Sequence, residues 1–150
     1  MSRRIIVSGL AAVAVLGAAG AYAFVAQASE DGPAVKDSSA EYVAPATGHD
    51  GSISFTTRVT DDSGVRSVKV LAWPGSMKPA PTAKEMSAVE SAMCTAAAGD
   101  GAATCRYTAK VSGTDAATAP RGTWHVAVLV TAKDGDTVFV PKAADFTVTR

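Results

Sequence analysis

The feature that most constrains the fold is the alternation of apolar and polar residues through residues 122–133. The apolar members of this stretch share one face of an extended chain: Trp124, Val126, Val128, Val130 and Ala132. Side chains of a β-strand point alternately to its two faces, so a period of two predicts a half-buried strand rather than a helix. Asp134, Gly135 and Asp136 follow, and these residue types are typical of tight turns. They predict a returning strand over 137–140.

The same alternation recurs along the chain. Apolar residues and Thr57 occupy every second position of 53–59, and a similar pattern in 65–73 follows the turn-forming residues 61–64. These two stretches therefore predict a β-hairpin. Further short strands are predicted at 41–43, 105–111 and 146–148. Short strands separated by turns, with no internal repeat, predict an all-β protein, an antiparallel β-sandwich of six or seven strands.

One short helical insertion interrupts the strand pattern. Thr82 and Glu85 have the spacing of a capping box, in which the hydroxyl and the carboxylate bond the first free amides of a helix. Met86, Val89 and Met93 follow at i, i+3 and i+7. This spacing predicts one helix that lays an apolar stripe on the sheet.

The two cysteines, Cys94 and Cys105, are predicted to form one disulfide. An isolated pair in an exported protein is most simply a disulfide, and the short loop it closes corresponds to about 3 kcal/mol of stability. A zinc site is the alternative, but two thiols without a neighbouring histidine pair or a second cysteine pair fall short of a zinc ligand set.

The N-terminal residues have the three parts of a secretory signal. Arg3 and Arg4 precede an apolar stretch, and small residues at 21–23 and 26–28 offer two cleavage sites. Residues 1–28 are therefore predicted to be a signal peptide, of either the general or the twin-arginine type. The alternative is a retained membrane anchor, because the apolar stretch approaches the length of a spanning helix. Residues 29–50 are predicted to be a flexible segment with a possible edge strand.

The charge balance gives no reason to expect a nucleic acid as partner. The chain has 14 basic and 14 acidic residues, and loss of Arg3 and Arg4 with the signal would leave a formal net charge of −2. Such a mixed surface lacks the basic patch of a nucleic-acid-binding protein. A membrane is an expected partner only if the N-terminal segment is not cleaved.

Two stretches resemble parts of a bacterial immunoglobulin-like domain. RVTDDSGVRSVKVLAW resembles the B–C hairpin, and GTWHVAVLVTAKDGDTV resembles the F strand with the F–G turn. The whole layout is similar to a family of short secreted actinobacterial proteins of uncharacterised function. The resemblance implies an Ig-like β-sandwich domain over residues 51–150 and implies no activity. The helical insertion and the Cys94–Cys105 loop depart from the immunoglobulin pattern.

Groups for general acid–base chemistry are few. The histidines are His49, in a predicted turn, and His125, on the outward face of a strand, where a solvated or cross-strand-paired role is expected. No nucleophile elbow, zinc-protease motif or phosphate-binding loop occurs in the sequence. The leading interpretation is therefore a non-catalytic exported module that binds an unknown protein or cell-envelope ligand without a cofactor. A small secreted enzyme is the third interpretation.

Four aspartates form a candidate calcium site. In a sandwich, the turn with Asp61 and Asp62 lies at the same end as the turn with Asp134 and Asp136. Carboxylate oxygens are the ligands that calcium prefers. The competing interpretation is that aspartate occupies these turns because its side chain caps local amides.

The second functional interpretation is a secreted protease inhibitor. The loop from Pro74 to Pro81 is rich in proline, which lowers the entropy lost when a loop binds a partner. Met77 or Lys78 would then enter the protease cleft. An ordinary linker between a strand and a helix is the alternative for this loop.

Overall fold

The alternating stretches form two antiparallel sheets. The computed structural model describes residues 15–16, 21–22 and 32–149. In residues 32–149 it contains seven strands: β1 (Ala34–Val43), β2 (Gly51–Thr60), β3 (Val65–Pro74), β4 (Met93–Ala96), β5 (Ala102–Val111), β6 (Gly122–Ala132) and β7 (Thr137–Val148). Val15–Leu16 and Ala21–Tyr22 form a separate two-residue ladder.

The strand order confirms the predicted all-β sandwich. One sheet has the order β1-β2-β5-β4 and the other the order β3-β6-β7. This arrangement, four strands ABED against three strands CFG, is the strand order of a constant-type immunoglobulin sandwich. The inner faces meet in a core of valines, alanines and Phe55, with Val59, Val68, Val126, Val128 and Val130 almost fully buried.

The predicted hairpin between residues 52–60 and 65–73 is wrong. Strand β2 pairs with β1 and β5, whereas β3 pairs with β6 in the other sheet. The connecting turn therefore crosses between the sheets. It is closed by a hydrogen bond from the Gly64 amide to the Asp61 carbonyl at 2.9 Å, and Gly64 has a φ of 91° that favours glycine. The same turn-forming residues are found in hairpins and in connections that cross between sheets, so the sequence does not distinguish the two.

Strand β1 is much longer than the predicted edge strand at 41–43, and it begins within the segment expected to be flexible. A bulge between Lys36 and Ser39 interrupts its pairing with β2. At this bulge the side chain of Ser38 is buried, and its hydroxyl lies 2.8 Å from the Thr57 hydroxyl. The bulge shifts the alternation by one residue, which hides the strand from a period-two pattern.

The predictions for the first residues of the chain concern residues that lie largely outside the described part. The predicted signal peptide and its alternative, an anchor, both concern residues 1–28, of which only two residue pairs are described. Among the described residues, no helix is long and apolar enough to cross a membrane.

The predicted helix after Thr82 is a single 3₁₀ turn, Glu85–Ala88. Met86 is fully buried against Trp73 and Ala127 on the outer face of the three-strand sheet, as expected, but Met93 is 81% exposed. The helix ends early because the following backbone pairs with the edge of β3: the Val70 amide donates to the Glu90 carbonyl and the Ala92 amide to the Val68 carbonyl. Met93 therefore begins strand β4.

The predicted disulfide between Cys94 and Cys105 is present. The two residues lie directly opposite each other in β4 and β5, with their Cα atoms 4.0 Å apart. All four residues of β4 are exposed, so apolar burial contributes little to its attachment. The disulfide therefore ties this short edge strand to the sheet.

Candidate functional site

A second short helix, α1 (Gly113–Thr118), connects strands β5 and β6. The Ser112 hydroxyl accepts a hydrogen bond from the Asp115 amide at 3.1 Å, and the Asp115 carboxylate accepts from the Ser112 amide at 3.0 Å. This reciprocal pair is a capping box, and the spacing Ser-x-x-Asp was visible in the sequence. The helix ends at Thr118, because Ala119 precedes Pro120 and has an extended backbone.

Helix α1 covers one end of the sandwich without packing tightly on it. None of its residues is buried, and its side chains are small. Beneath it lie the last residues of β1, β5 and β7 and the first residues of β2 and β6. We call this the helix end of the sandwich.

Three aromatic rings bridge the two sheets at the helix end. The rings of Tyr42 and Phe146 are stacked with centroids 6.2 Å apart, and those of Phe146 and Trp124 with centroids 6.0 Å apart. Phe146 is buried, and the two outer rings are half-buried. The Trp124 indole N–H donates to the Pro120 carbonyl at 2.8 Å, which links the ring to the segment after α1.

Two cavities lie on either side of α1. The first, the Trp124 cavity, has a volume of about 330 Å³ and a mainly apolar lining, with Tyr42, Ile53 and Trp124 as its largest apolar residues. The second, the Ala116 cavity, has a volume of about 410 Å³ and lies between α1 and the 44–47 turn. Tyr42 lines both cavities. Small-molecule sites are typically apolar concavities of this size with a few polar groups.

The polar groups at the Trp124 cavity are few. Its charged lining residues are Lys110 and Asp115. The Lys110 ammonium lies 2.7 Å from the Asp50 carboxylate, and this hydrogen bond, with the attraction between the charges, raises the pKa of Lys110. Hydrogen bonds from the Ser112 hydroxyl and amide lower the pKa of Asp115, so this carboxylate stays ionised at neutral pH.

The hydroxyl of Tyr42 is an unusual feature of the helix end. It is buried and has no hydrogen-bond partner among the described residues. Buried hydroxyls normally have a partner, because leaving one unpaired costs about 1–3 kcal/mol. The hydroxyl therefore marks a position at which a polar atom from outside the described residues would be stabilising.

Neither His49 nor His125 lines the two cavities at the helix end. His49 is exposed in the 46–49 turn. His125 faces Asp145 across the β6–β7 pair, with Nδ1 2.6 Å from Oδ1, and its ring lies 4.7 Å from the Trp73 ring. This geometry is the cross-strand pairing that the sequence analysis expected as one of two roles for His125. No nucleophilic side chain hydrogen-bonds to His125 within the described part of the chain.

The four aspartates of the calcium hypothesis belong to turns at the opposite end. The turns do meet: the Asp134 amide donates to the Ser63 hydroxyl at 3.1 Å, and the same hydroxyl donates to Asp61 at 2.6 Å. Yet in residues 32–149 no three histidine, cysteine, aspartate or glutamate side chains form a group that could hold a metal. The Asp61 and Asp134 carboxylates instead cap backbone amides of their own turns.

The loop from Pro74 to Pro81 is exposed at its centre. Met77 is 46% exposed, and Lys78 is exposed beside it. The Met77 amide donates to the Pro74 carbonyl at 2.9 Å, which closes a turn, and the Gly75 amide donates to the Thr123 carbonyl of β6. The backbone therefore forms a turn at the start of this loop, and that turn is anchored to β6.

Comparison with known proteins identifies a family of unknown function. A model described as a family of unknown function (DUF5707) matches residues 35–130, more than half of the chain. No curated protein and no solved structure matches the chain. The matched region runs from β1 into β6 and so includes α1 and most of the residues that line the Trp124 cavity.

Proposed function

The chain belongs to the DUF5707 family, whose function is unknown, and on that premise we propose that it is a non-catalytic, exported binding module. Its ligand occupies the Trp124 cavity at the helix end of the sandwich. The observation that carries the proposal is a mainly apolar cavity whose wall includes Tyr42. The hydroxyl of Tyr42 is buried and has no hydrogen-bond partner in the part of the chain that the structure describes. A cavity of about 330 Å³ is large enough for a small organic molecule.

The disulfide supports the exported location. Disulfides persist in oxidising compartments and are rare in the cytosol. The Cys94–Cys105 bond ties down a strand that buries little apolar surface, so the fold is better suited to an environment in which that bond is kept. Together with the predicted signal peptide, this favours a protein that works outside the cytoplasm.

Binding can be tested with the two tryptophans as paired reporters. Each indole N–H donates to a backbone carbonyl: Trp124 to Pro120 and Trp73 to Pro141. In a ¹⁵N-labelled protein, titration with 1-hexanol as a neutral apolar probe should shift the Trp124 indole signal saturably. The Trp73 signal, from a residue buried away from this cavity, should not move. Equal shifts of both signals, or no shift, would contradict a site in the Trp124 cavity.

A secreted protease inhibitor is the second candidate, favoured by the exposure of Met77. The Gly75–Thr123 hydrogen bond anchors the start of its loop to β6. An inhibitor of this kind should lose its effect in the Lys78→Ala and Met77→Ala variants, measured on a panel of serine proteases. A protein without inhibitory effect before mutation would end this alternative.

A further inference from the structure

We infer that the ligand of the Trp124 cavity is a small organic cation, an alkyl- or arylammonium with an apolar body. This inference rests on the proposed function and adds the chemical class of the ligand to it. It follows from the charges at the cavity, from its apolar lining and from the position of Asp115 at its rim.

The rim carries one charge, that of Asp115, that no other described side chain balances. Lys110 is held by Asp50 at 2.7 Å, so these two charges largely cancel. Asp115 receives hydrogen bonds only from neutral donors, the amide and the hydroxyl of Ser112. Among the described residues no cationic side chain lies within 4.0 Å of it. An ionised carboxylate accepts hydrogen bonds and donates none, so it selects a ligand with a positive charge or strong donors.

The body of the ligand is determined by the rest of the lining. Tyr42 and Trp124 supply two aromatic rings, and Ile53 and Val148 add aliphatic surface. Aromatic faces attract organic cations because their quadrupole is negative at the face. An apolar body would bury its surface against these side chains. An anion would place a like charge beside Asp115.

Three probes with equal numbers of carbon atoms distinguish the contribution of ligand charge from that of apolar contact. Hexylammonium, 1-hexanol and hexanoate are titrated into the ¹⁵N-labelled full chain, and the Trp124 indole shift is followed. We expect hexylammonium to bind about fivefold more tightly than 1-hexanol, since an exposed ion pair contributes a modest free energy. Hexanoate should bind more weakly than 1-hexanol. The preference for hexylammonium should fall at high salt, because salt screens exposed charges.

Variants of Asp115 test the source of the preference. Asp115→Asn keeps an oxygen that can accept from Ser112, and it should reduce the hexylammonium preference to about none while 1-hexanol binds as before. Asp115→Glu should retain the preference. Asp62→Asn is the matched control, because it removes an exposed charge at the opposite end of the sandwich and should change nothing.

The outcomes separate the two claims. Equal affinity for all three probes would overturn the cation inference and leave the binding site in place. A preference that survives in Asp115→Asn would overturn Asp115 as its source. The absence of a Trp124 shift with every probe would overturn the binding site and the inference together.

Discussion

The ring of Tyr42 stacks on the ring of Phe146, with centroids 6.2 Å apart and planes inclined by 19°. Tyr42 belongs to the first strand of the four-strand sheet and Phe146 to the last strand of the three-strand sheet. The contact therefore closes the sandwich at the helix end. It holds the Tyr42 ring in place although the hydroxyl of that ring has no partner within the described chain.

Replacement of Tyr42 by phenylalanine should leave the free energy of unfolding unchanged or raise it by up to about 1 kcal/mol, because it removes an unpaired buried polar group. Tyr107→Phe is the matched control. The Tyr107 hydroxyl donates to Glu90 at 3.0 Å, so its removal should lower stability by about 0.5–1.5 kcal/mol. Denaturant unfolding of both variants measures this. Similar losses in both would mean that the Tyr42 hydroxyl is also paired.

Loss of the disulfide should lower the free energy of unfolding by about 3 kcal/mol in the double variant Cys94→Ala/Cys105→Ala. The bond closes a loop between residues 11 positions apart and ties down an edge strand with no buried residue. Urea unfolding with and without reductant measures the change. A reductant effect that persists in the double variant would show that it does not come from this bond.

The two methionines that the sequence placed on one helical stripe should respond differently to truncation. Met86 is fully buried against Trp73, so Met86→Ala should cost about 2–5 kcal/mol of stability. Met93 is 81% exposed, so Met93→Ala should stay within about 0.5 kcal/mol of the parent. Thermal unfolding of both variants tests the pair, and an equal cost would favour the continuous helix.

Stability should fall in the alkaline range through Tyr107. Burial of the phenol, and then its hydrogen bond and charge repulsion with Glu90, raise the pKa of Tyr107. The folded protein thus favours the neutral phenol. This contribution is fully present below the ordinary tyrosine pKa and is lost as pH rises through the raised pKa.

Phenolate absorbance and alkaline unfolding measure this dependence. Glu90→Gln should lower the pKa of Tyr107 towards its ordinary value, with the part due to burial remaining. A Tyr107 titration that is the same in the parent and in Glu90→Gln would remove Glu90 as a cause.

Local patterns predicted much of the fold because they depend on neighbouring residues. The alternation around Val126 and Phe55 identified strands β6 and β2. The Cys94–Cys105 bond was predicted because an isolated pair of cysteines in an exported protein is most simply a disulfide. The pattern failed where tertiary contacts override it. At Ser38 a bulge shifts the alternation, and at residues 90–92 the chain pairs with the edge of β3 where a helix was expected.

The candidate site was largely hidden from the sequence. The capping box of Ser112 and Asp115 could have been recognised from its spacing, and it would have predicted the short helix α1. The Trp124 cavity could not, because Tyr42, Ile53, Asp115 and Trp124 come from four separate segments of the chain. Period-two alternation specifies which side chains face inward, since that is a property of one strand. Which strands become neighbours, and what gap remains where they meet under a loosely packed helix, is decided only when distant segments pack together.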